Sequence, residues 1–203
     1  MTKVKICGLM EPEHVEAAVQ AGADAIGFVF APSRRRISVE QAKQLARLVP
    51  EGVIKIGVFV NPSPEEVMQA FQEVPLDFIQ YHGNEELDFV KKVGLPSIKV
   101  VSMYSIKDKE KIQACDTQYV LVDTPGIEFN GGTGNVFDWG LLDGDLPRHR
   151  MILAGGLTVQ NVQQAIRQIR PAMVDVSSGV ERNNRKDETL IRAFIRAVKE
   201  EER

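Results

Sequence analysis

The sequence predicts a closed (β/α)8 barrel, a TIM barrel with short loops, formed by residues 1–203 as a single domain. Three observations predict it. Eight short runs rich in Val and Ile alternate with amphipathic stretches, the alternation continues without a break, and polar residues gather where the apolar runs end. Units of about 25 residues leave little room for insertions, which puts such a barrel at the small end of its size range. An open doubly wound sheet is the main alternative.

The runs are VKIC, DAIGFVF, IKIGVFV, DFIQY, SIKVV, YVLVD, MILA and MVDVS. Each is apolar on nearly every residue, as parallel strands covered on both faces must be. Between them, Ser38-Val39-Glu40-Gln41 and Ser63-Pro64-Glu65-Glu66 read as capping boxes, in which the serine oxygen accepts a backbone N–H and the Gln or Glu returns the bond. Thr158 reads as the N-cap of a helix that buries Val159, Val162, Ala165, Ile166 and Ile169, and the last helix is expected to start near Asp187. Gly22 and Gly94 stand just past helices, where a left-handed residue ends the turn. The one long irregular piece, TPGIEFNGGTGNVFDW, follows the sixth run, and a long loop in a compact barrel is usually functional.

Composition narrows the function. The chain is 43% hydrophobic and 26% charged, with a net charge of −3, so no basic field recruits nucleic acid or an anionic membrane. No run of about 18 apolar residues and no signal-peptide pattern is present, which predicts a soluble, cytoplasmic protein. Cys7 and Cys115 are isolated thiols, without the spacing of a zinc site and without expectation of a disulfide in a reducing compartment. Oligomeric state, monomer or homodimer, is not encoded in composition.

Chemistry in such barrels sits where strands end, so the residues standing there are the candidates. AGGL follows the seventh run and SSGV the eighth. Gly155, Gly156 and Gly179 let backbone N–H groups approach an anion and Ser178 adds a hydroxyl, which reads as a phosphate site. GGTG at 131–134 lacks the GK[ST] of a nucleotide loop and is weak by itself. Of Arg34, Arg35 and Arg36, one facing the barrel mouth would bind a carboxylate in bidentate fashion, the others being solvated surface. His82 ends IQYH and reads equally as a structural or a ligand-contacting residue. Asp123 ends YVLVD and Asp175 lies within MVDVS; a carboxylate at the top of an apolar strand is costly to bury unpaired, which favours a functional role for Asp123. Cys7 reads either as a small core residue or as a functional thiol. Lys5 points to the same side about 7 Å behind it, where an ammonium favours a thiolate.

KICG, GADAIGFVF, SRRRIS, GVFVN, IQYHG, VDT, GGTGNVFDW, AGGL and DVSSGVE together resemble the phosphoribosylanthranilate isomerase family of tryptophan biosynthesis, over essentially the whole chain. The resemblance implies a small (β/α)8 barrel that converts N-(5-phosphoribosyl)anthranilate into 1-(2-carboxyphenylamino)-1-deoxyribulose 5-phosphate, an Amadori rearrangement without cofactor or metal. It implies Cys7 as general base, Asp123 as general acid and Arg35 as the anthranilate-binding residue. It also implies that His82 and Asp175 are active-site residues and that Gly156, Ser178 and Gly179 contact phosphate. RNNRKDE departs from the family, which often has Pro-Gly before Lys-Asp; the shape of that loop is the point at issue.

An ordinary aspartate is about one part in a thousand protonated at pH 7, and half-protonation costs roughly 4 kcal/mol. A free cysteine is only a few per cent thiolate at that pH, and Lys5 is the candidate for favouring ionisation. Competing readings are a histidine-pathway Amadori enzyme, whose family uses a carboxylate where Cys7 stands, a metal-dependent pentose phosphate epimerase, which needs more strand-end histidines than His82, and a non-catalytic phosphosugar-binding barrel, which needs neither Cys7 nor Asp123.

Overall fold

Strands that are apolar on both faces must bury both, and here one side is filled by side chains and the other is wrapped by helices. The computed structural model describes residues 1–123 and 139–201. Its strands are β1 (Lys3–Cys7), β2 (Ala25–Val29), β3 (Ile54–Phe59), β4 (Phe78–Tyr81), β5 (Ser97–Ser102), β6 (Tyr119–Asp123), β7 (Met151–Ala154) and β8 (Met173–Val176). They pair in sequence order, all parallel, and β8 closes onto β1 with Lys5 opposite Asp175.

Side chains alternate across this wall. Ala25, Ile56, Ile98, Leu121, Ile152 and Met173 fill the interior, while Val4, Ile6, Ile26 and Phe28 pack outward against the helices. Fully burying one such Ile or Phe is worth about 1.5–3 kcal/mol. At the foot of the barrel, the residues entering β2, β4 and β6 each satisfy an early N–H group of the preceding odd-numbered strand. Asp24 Oδ2 accepts from Val4 N at 2.8 Å, Asp77 Oδ2 from Lys55 N at 2.7 Å, and Gln118 Oε1 from Ser97 N at 2.9 Å. Each bond answers a backbone donor that would otherwise start its strand unpaired.

The described helices are α1 (Pro12–Ala21), α2 (Val39–Ala46), α3 (Pro64–Glu73), α4 (Leu87–Val93), α5 (Lys109–Ala114), α6 (Val162–Ile169) and α7 (Glu188–Glu200). Ser63 and Glu66 form the full capping box. Ser38 makes only half of one: its hydroxyl accepts from Gln41 N, but the Gln41 amide reaches away to Met10 O at 2.9 Å. Thr158 does not cap a helix directly. It opens a turn, and α6 starts at Val162 after Asn161, whose Oδ1 accepts from Thr158 N at 2.8 Å. Asp187 caps α7, and Gly22 and Gly94 end α1 and α4 in the left-handed region. After β6 the described chain resumes in a 3-10 turn, Trp139–Leu142, whose buried Trp139 and Leu142 join the outer core. Among the described residues no helix is long and apolar enough to cross a membrane.

Candidate active site

The polar strand ends meet at the C-terminal mouth of the barrel. Cys7 ends β1 almost fully buried, and Gly8 turns the chain at φ +76°. Gly27 on β2 makes room for the thiol: a Cβ there would lie 2.8 Å from Cys7 Sγ and 3.2 Å from Lys5 Cε. Below it, Lys5 Nζ bonds Asp175 Oδ2 at 2.8 Å, both side chains buried. Lys5 acts on the thiol in the expected direction, but it is not the dominant influence. Burial pushes the Cys7 thiol above its ordinary value; Lys5 and Lys186 pull it down without overcoming that, and Asp175 pushes it further up. The ammonium is matched by a carboxylate, so the resting thiol stays protonated. Asp175 Oδ1 is buried without a hydrogen-bond partner among the described residues.

Arg35 lies across Gly8, where the positive φ disfavours any side chain and a Cβ would come within 2.6 Å of Arg35 Cδ, forcing the arginine to shift. Its Nε and Nη2 bond Glu181 Oε1 and Oε2 at 2.6 and 2.9 Å, a side-on bidentate pair that faces the Nη1 edge elsewhere. Arg34 is more exposed, yet it too bonds Glu181, at 2.7 Å, and Asn184; Arg36 is exposed. Glu181 also accepts from Lys186 Nζ at 2.9 Å. Burial alone would raise the Glu181 carboxyl, but Arg35 and Lys186 outweigh it and hold it at about 2.

Glu181 and Lys186 were not singled out by sequence reasoning. They sit on a two-residue hairpin, β9 (Glu181–Arg182) with β10 (Arg185–Lys186), closed by Asn183 and Asn184 at φ +52° and +63°. Two successive left-handed residues make a type I′ turn, which asparagine tolerates; this is the shape RNNRKDE takes without Pro-Gly. Lys186 also donates to Ser177 O and Oγ, and Ser177 Oγ donates to Cys7 O at 3.2 Å. A polar chain thus joins Arg35 to the backbone of Cys7.

On the far side of the mouth, His82 Nε2 lies 3.3 Å from Asp123 Oδ2, each side chain about a third exposed. The other ring nitrogen faces the buried amide of Gln80 at 3.2 Å. The turn that carries His82 is fixed from behind. Glu85 accepts from Gly83 N, Asn61 N and Lys99 Nζ, and Lys99 also donates to Gly83 O.

Gly155 and Gly156 turn the β7 loop at φ +87° and +62°, and Asn161 Nδ2 donates to Gly156 O at 3.0 Å. The β8 loop abuts it: a Cβ on Gly179 would overlap Leu157 O, and Ser178 begins the adjoining 3-10 turn. Thr124 and GGTG at 131–134 lie outside the described residues. Both cysteines are free thiols. Among the described residues, the one group of ligand atoms close enough for a metal is Glu11, Glu13 and His14 on α1, and Glu11 already pairs with Arg185.

A closed parallel barrel with its polar groups collected at the strand C-termini defines a (β/α)8-barrel enzyme. Residues 4–197 match the family described as N-(5'-phosphoribosyl)anthranilate (PRA) isomerase. The chain belongs to this family, and its activity is the isomerisation of N-(5'-phosphoribosyl)anthranilate in tryptophan biosynthesis. It is 46% identical to the N-(5'-phosphoribosyl)anthranilate isomerase of Listeria monocytogenes, covering 97% of this chain and 98% of that one, and 46% identical to the Bacillus cereus enzyme, covering 98% of each. The phosphoribosyl anthranilate isomerase of Thermotoga maritima superposes with a TM-score of 0.88 at 40% identity, over 98% of this chain and 100% of the other. A phosphoribosyl anthranilate isomerase in complex with reduced 1-(o-carboxyphenylamino)-1-deoxyribulose 5-phosphate superposes at 0.86 with 38% identity, over 98% and 100%.

Proposed function

We propose that Cys7 is the general base and Asp123 the general acid of this isomerisation. The observation that carries the assignment is topological. Going round the barrel from β1 to β6, the two strands between them are β8 and β7, whose glycine turns are the phosphate candidates. A phosphate gripped by Gly155, Gly156, Ser178 and Gly179 places the attached sugar between thiol and carboxyl.

The steps balance without oxidant, metal or cofactor. Protonated Asp123 donates to the furanose ring oxygen as the C1–O bond breaks, and the anthranilate nitrogen lone pair forms the iminium. Cys7 first gives up its resting proton to solvent and, as thiolate, removes the C2 proton; the electron pair left behind neutralises the iminium to an enolamine, which tautomerises to the ketone by protonation at C1. Arg35 holds the anthranilate carboxylate through its Nη1 edge, the Nε and Nη2 edge being occupied by Glu181. Asp175 Oδ1 accepts from a sugar hydroxyl, and His82 bonds Asp123. The substrate is the one small-molecule partner, with no nucleic acid or membrane. The protein acts as one catalytic barrel over residues 1–203, cytoplasmic, as a monomer or homodimer; a Thermotoga maritima relative is described as dimeric.

The test is to mix the purified protein with phosphoribosylanthranilate and follow a product of identical mass. Wild-type protein forms it, while Cys7→Ala and Asp123→Asn bind substrate and do not turn it over at a comparable rate. A variant that turns over normally removes its residue from the assignment.

A further inference from the structure

Gln80 lies inside the barrel on β4, 1% exposed, with its amide nitrogen 3.2 Å from His82 Nδ1. The NH2 end of an amide only donates, so the ring nitrogen it meets must accept and carries no proton. A neutral imidazole then has its proton on Nε2, the nitrogen 3.3 Å from Asp123 Oδ2. Gln80 Oε1 is buried without a partner among the described residues. Turning the amide over would set Oε1 against Nδ1 and leave two N–H groups, instead of one oxygen, in that unsatisfied position. The orientation seen is the less costly one.

We infer that Gln80 is a positioning residue for the reaction: its amide locks His82 as the neutral Nε2–H tautomer and aims that single N–H at Asp123 Oδ2. This rests on the reading of Asp123 as the acid. A second ring proton would have to sit on Nδ1, head-on against the amide donors. A cation there would hold Asp123 in its ionised form, from which it has no proton to give. A neutral donor on Oδ2 instead fixes the carboxyl plane and leaves Oδ1 to carry the proton toward the furanose oxygen. Besides Asp123, the charged groups tied to this turn are Glu85 and Lys99, which bond each other behind Gly83.

The chain has three histidines, so the ring can be read directly by nitrogen NMR of 15N-histidine-labelled enzyme, with His82→Asn identifying the signal. The wild-type ring is expected to show a pyridine-like Nδ1 and a pyrrole-like Nε2. A protonated Nδ1 in the wild type overturns the inference, whatever Asp123 does. Gln80→Glu replaces the donor with an acceptor, which draws a proton to Nδ1; the ring signal should become that of a doubly protonated imidazole and kcat should fall by about 10²-fold with KM within about twofold. Gln80→Leu, which keeps bulk without a donor, should give mixed tautomers and a loss of about 10-fold in kcat. Unchanged kcat in Gln80→Glu while Asp123→Asn stays inactive overturns the role of Gln80 alone; unchanged kcat in both overturns the acid assignment with it.

Discussion

Lys5 and Asp175 face each other across the seam where β8 closes onto β1, with Nζ 2.8 Å from Oδ2 and one pleat below Cys7. Neither charge is tolerable there without the other. Lys5→Met, which strands a buried carboxylate, should lower unfolding stability in urea by about 3–5 kcal/mol, and Lys5→Met with Asp175→Leu should recover most of it. A single-variant loss below about 1 kcal/mol would mean that water or a relaxed backbone serves the carboxylate.

Cys7→Ala and Asp123→Asn should each lower kcat by at least ~10², with KM largely kept. The thiol itself can be titrated by the pH dependence of iodoacetamide reaction, with Cys7→Ser correcting for Cys115. Burial predicts a midpoint above that of a free thiol. A midpoint below neutrality would show that Lys5 governs the thiol after all.

Arg35→Ala should act mainly on KM, and so should Glu181→Gln, since it releases the clamped edge of the guanidinium. If KM is unchanged in Arg35→Ala, the carboxylate is held by Arg34 or Arg36. Glu181 also ties stability to pH. Its folded value of about 2 lies below the ordinary 4.5, so its contribution is complete above the ordinary value and is lost as pH falls toward 2. The contribution is at most roughly 3 kcal/mol. Acid titration of unfolding should therefore be shallower in Glu181→Gln than in wild type.

Gly179→Ala drives a methyl group into Leu157 O, a backbone atom that cannot swing aside. The β7 and β8 loops must separate. Competitive inhibition by inorganic phosphate should weaken by about 10-fold or more. Inhibition equal to wild type would place the phosphate elsewhere.

Tyr81 Oη is buried without a partner among the described residues, and burial pushes the phenol up to about 12. Removing an unpaired buried hydroxyl costs nothing in hydrogen bonding. Tyr81→Phe should leave the thermal midpoint unchanged or higher, and a lower midpoint would reveal a bound water at that oxygen.

Sequence periodicity located all eight strands, because each is covered on both faces and shows it residue by residue. Local cues were less secure where a competing partner existed. Ser38 looked like a full box and proved to be half of one, because spacing cannot show that the Gln41 amide finds an acceptor at Met10, 31 residues away. Thr158 lost the helix start to Asn161 for a similar reason, an amide able to bond both Thr158 N and Gly156 O. Within the site, Cys7, Arg35, His82 and Asp123 were legible because they end strands or follow them. Glu181, Lys186 and Gln80 were not: one reads as surface charge, one as part of an irregular loop and one as a polar break in an apolar strand. Glu181 meets Arg35 from 146 residues away, which only closure brings about, whereas Lys186 and Gln80 find nearby partners whose meeting depends on the turns at Asn183-Asn184 and after β4. The same closure limits what Lys5 does for the thiol, since no reading of β1 alone shows the carboxylate that β8 sets against it.

The bonds at the foot of the barrel divide the chain into pairs. Asp24 joins β1 to β2, Asp77 joins β3 to β4, and Gln118 joins β5 to β6, while no such bond joins β2 to β3 or β4 to β5 among the described residues. Within the continuous barrel, three successive strand pairs each carry one such polar side-chain fastening at the foot. Opening the chain after β2 or β4, as in a circular permutant or a pair of complementing fragments, leaves every fastening whole. A break after β1, β3 or β5 parts an acceptor from its donor and should reassemble less readily.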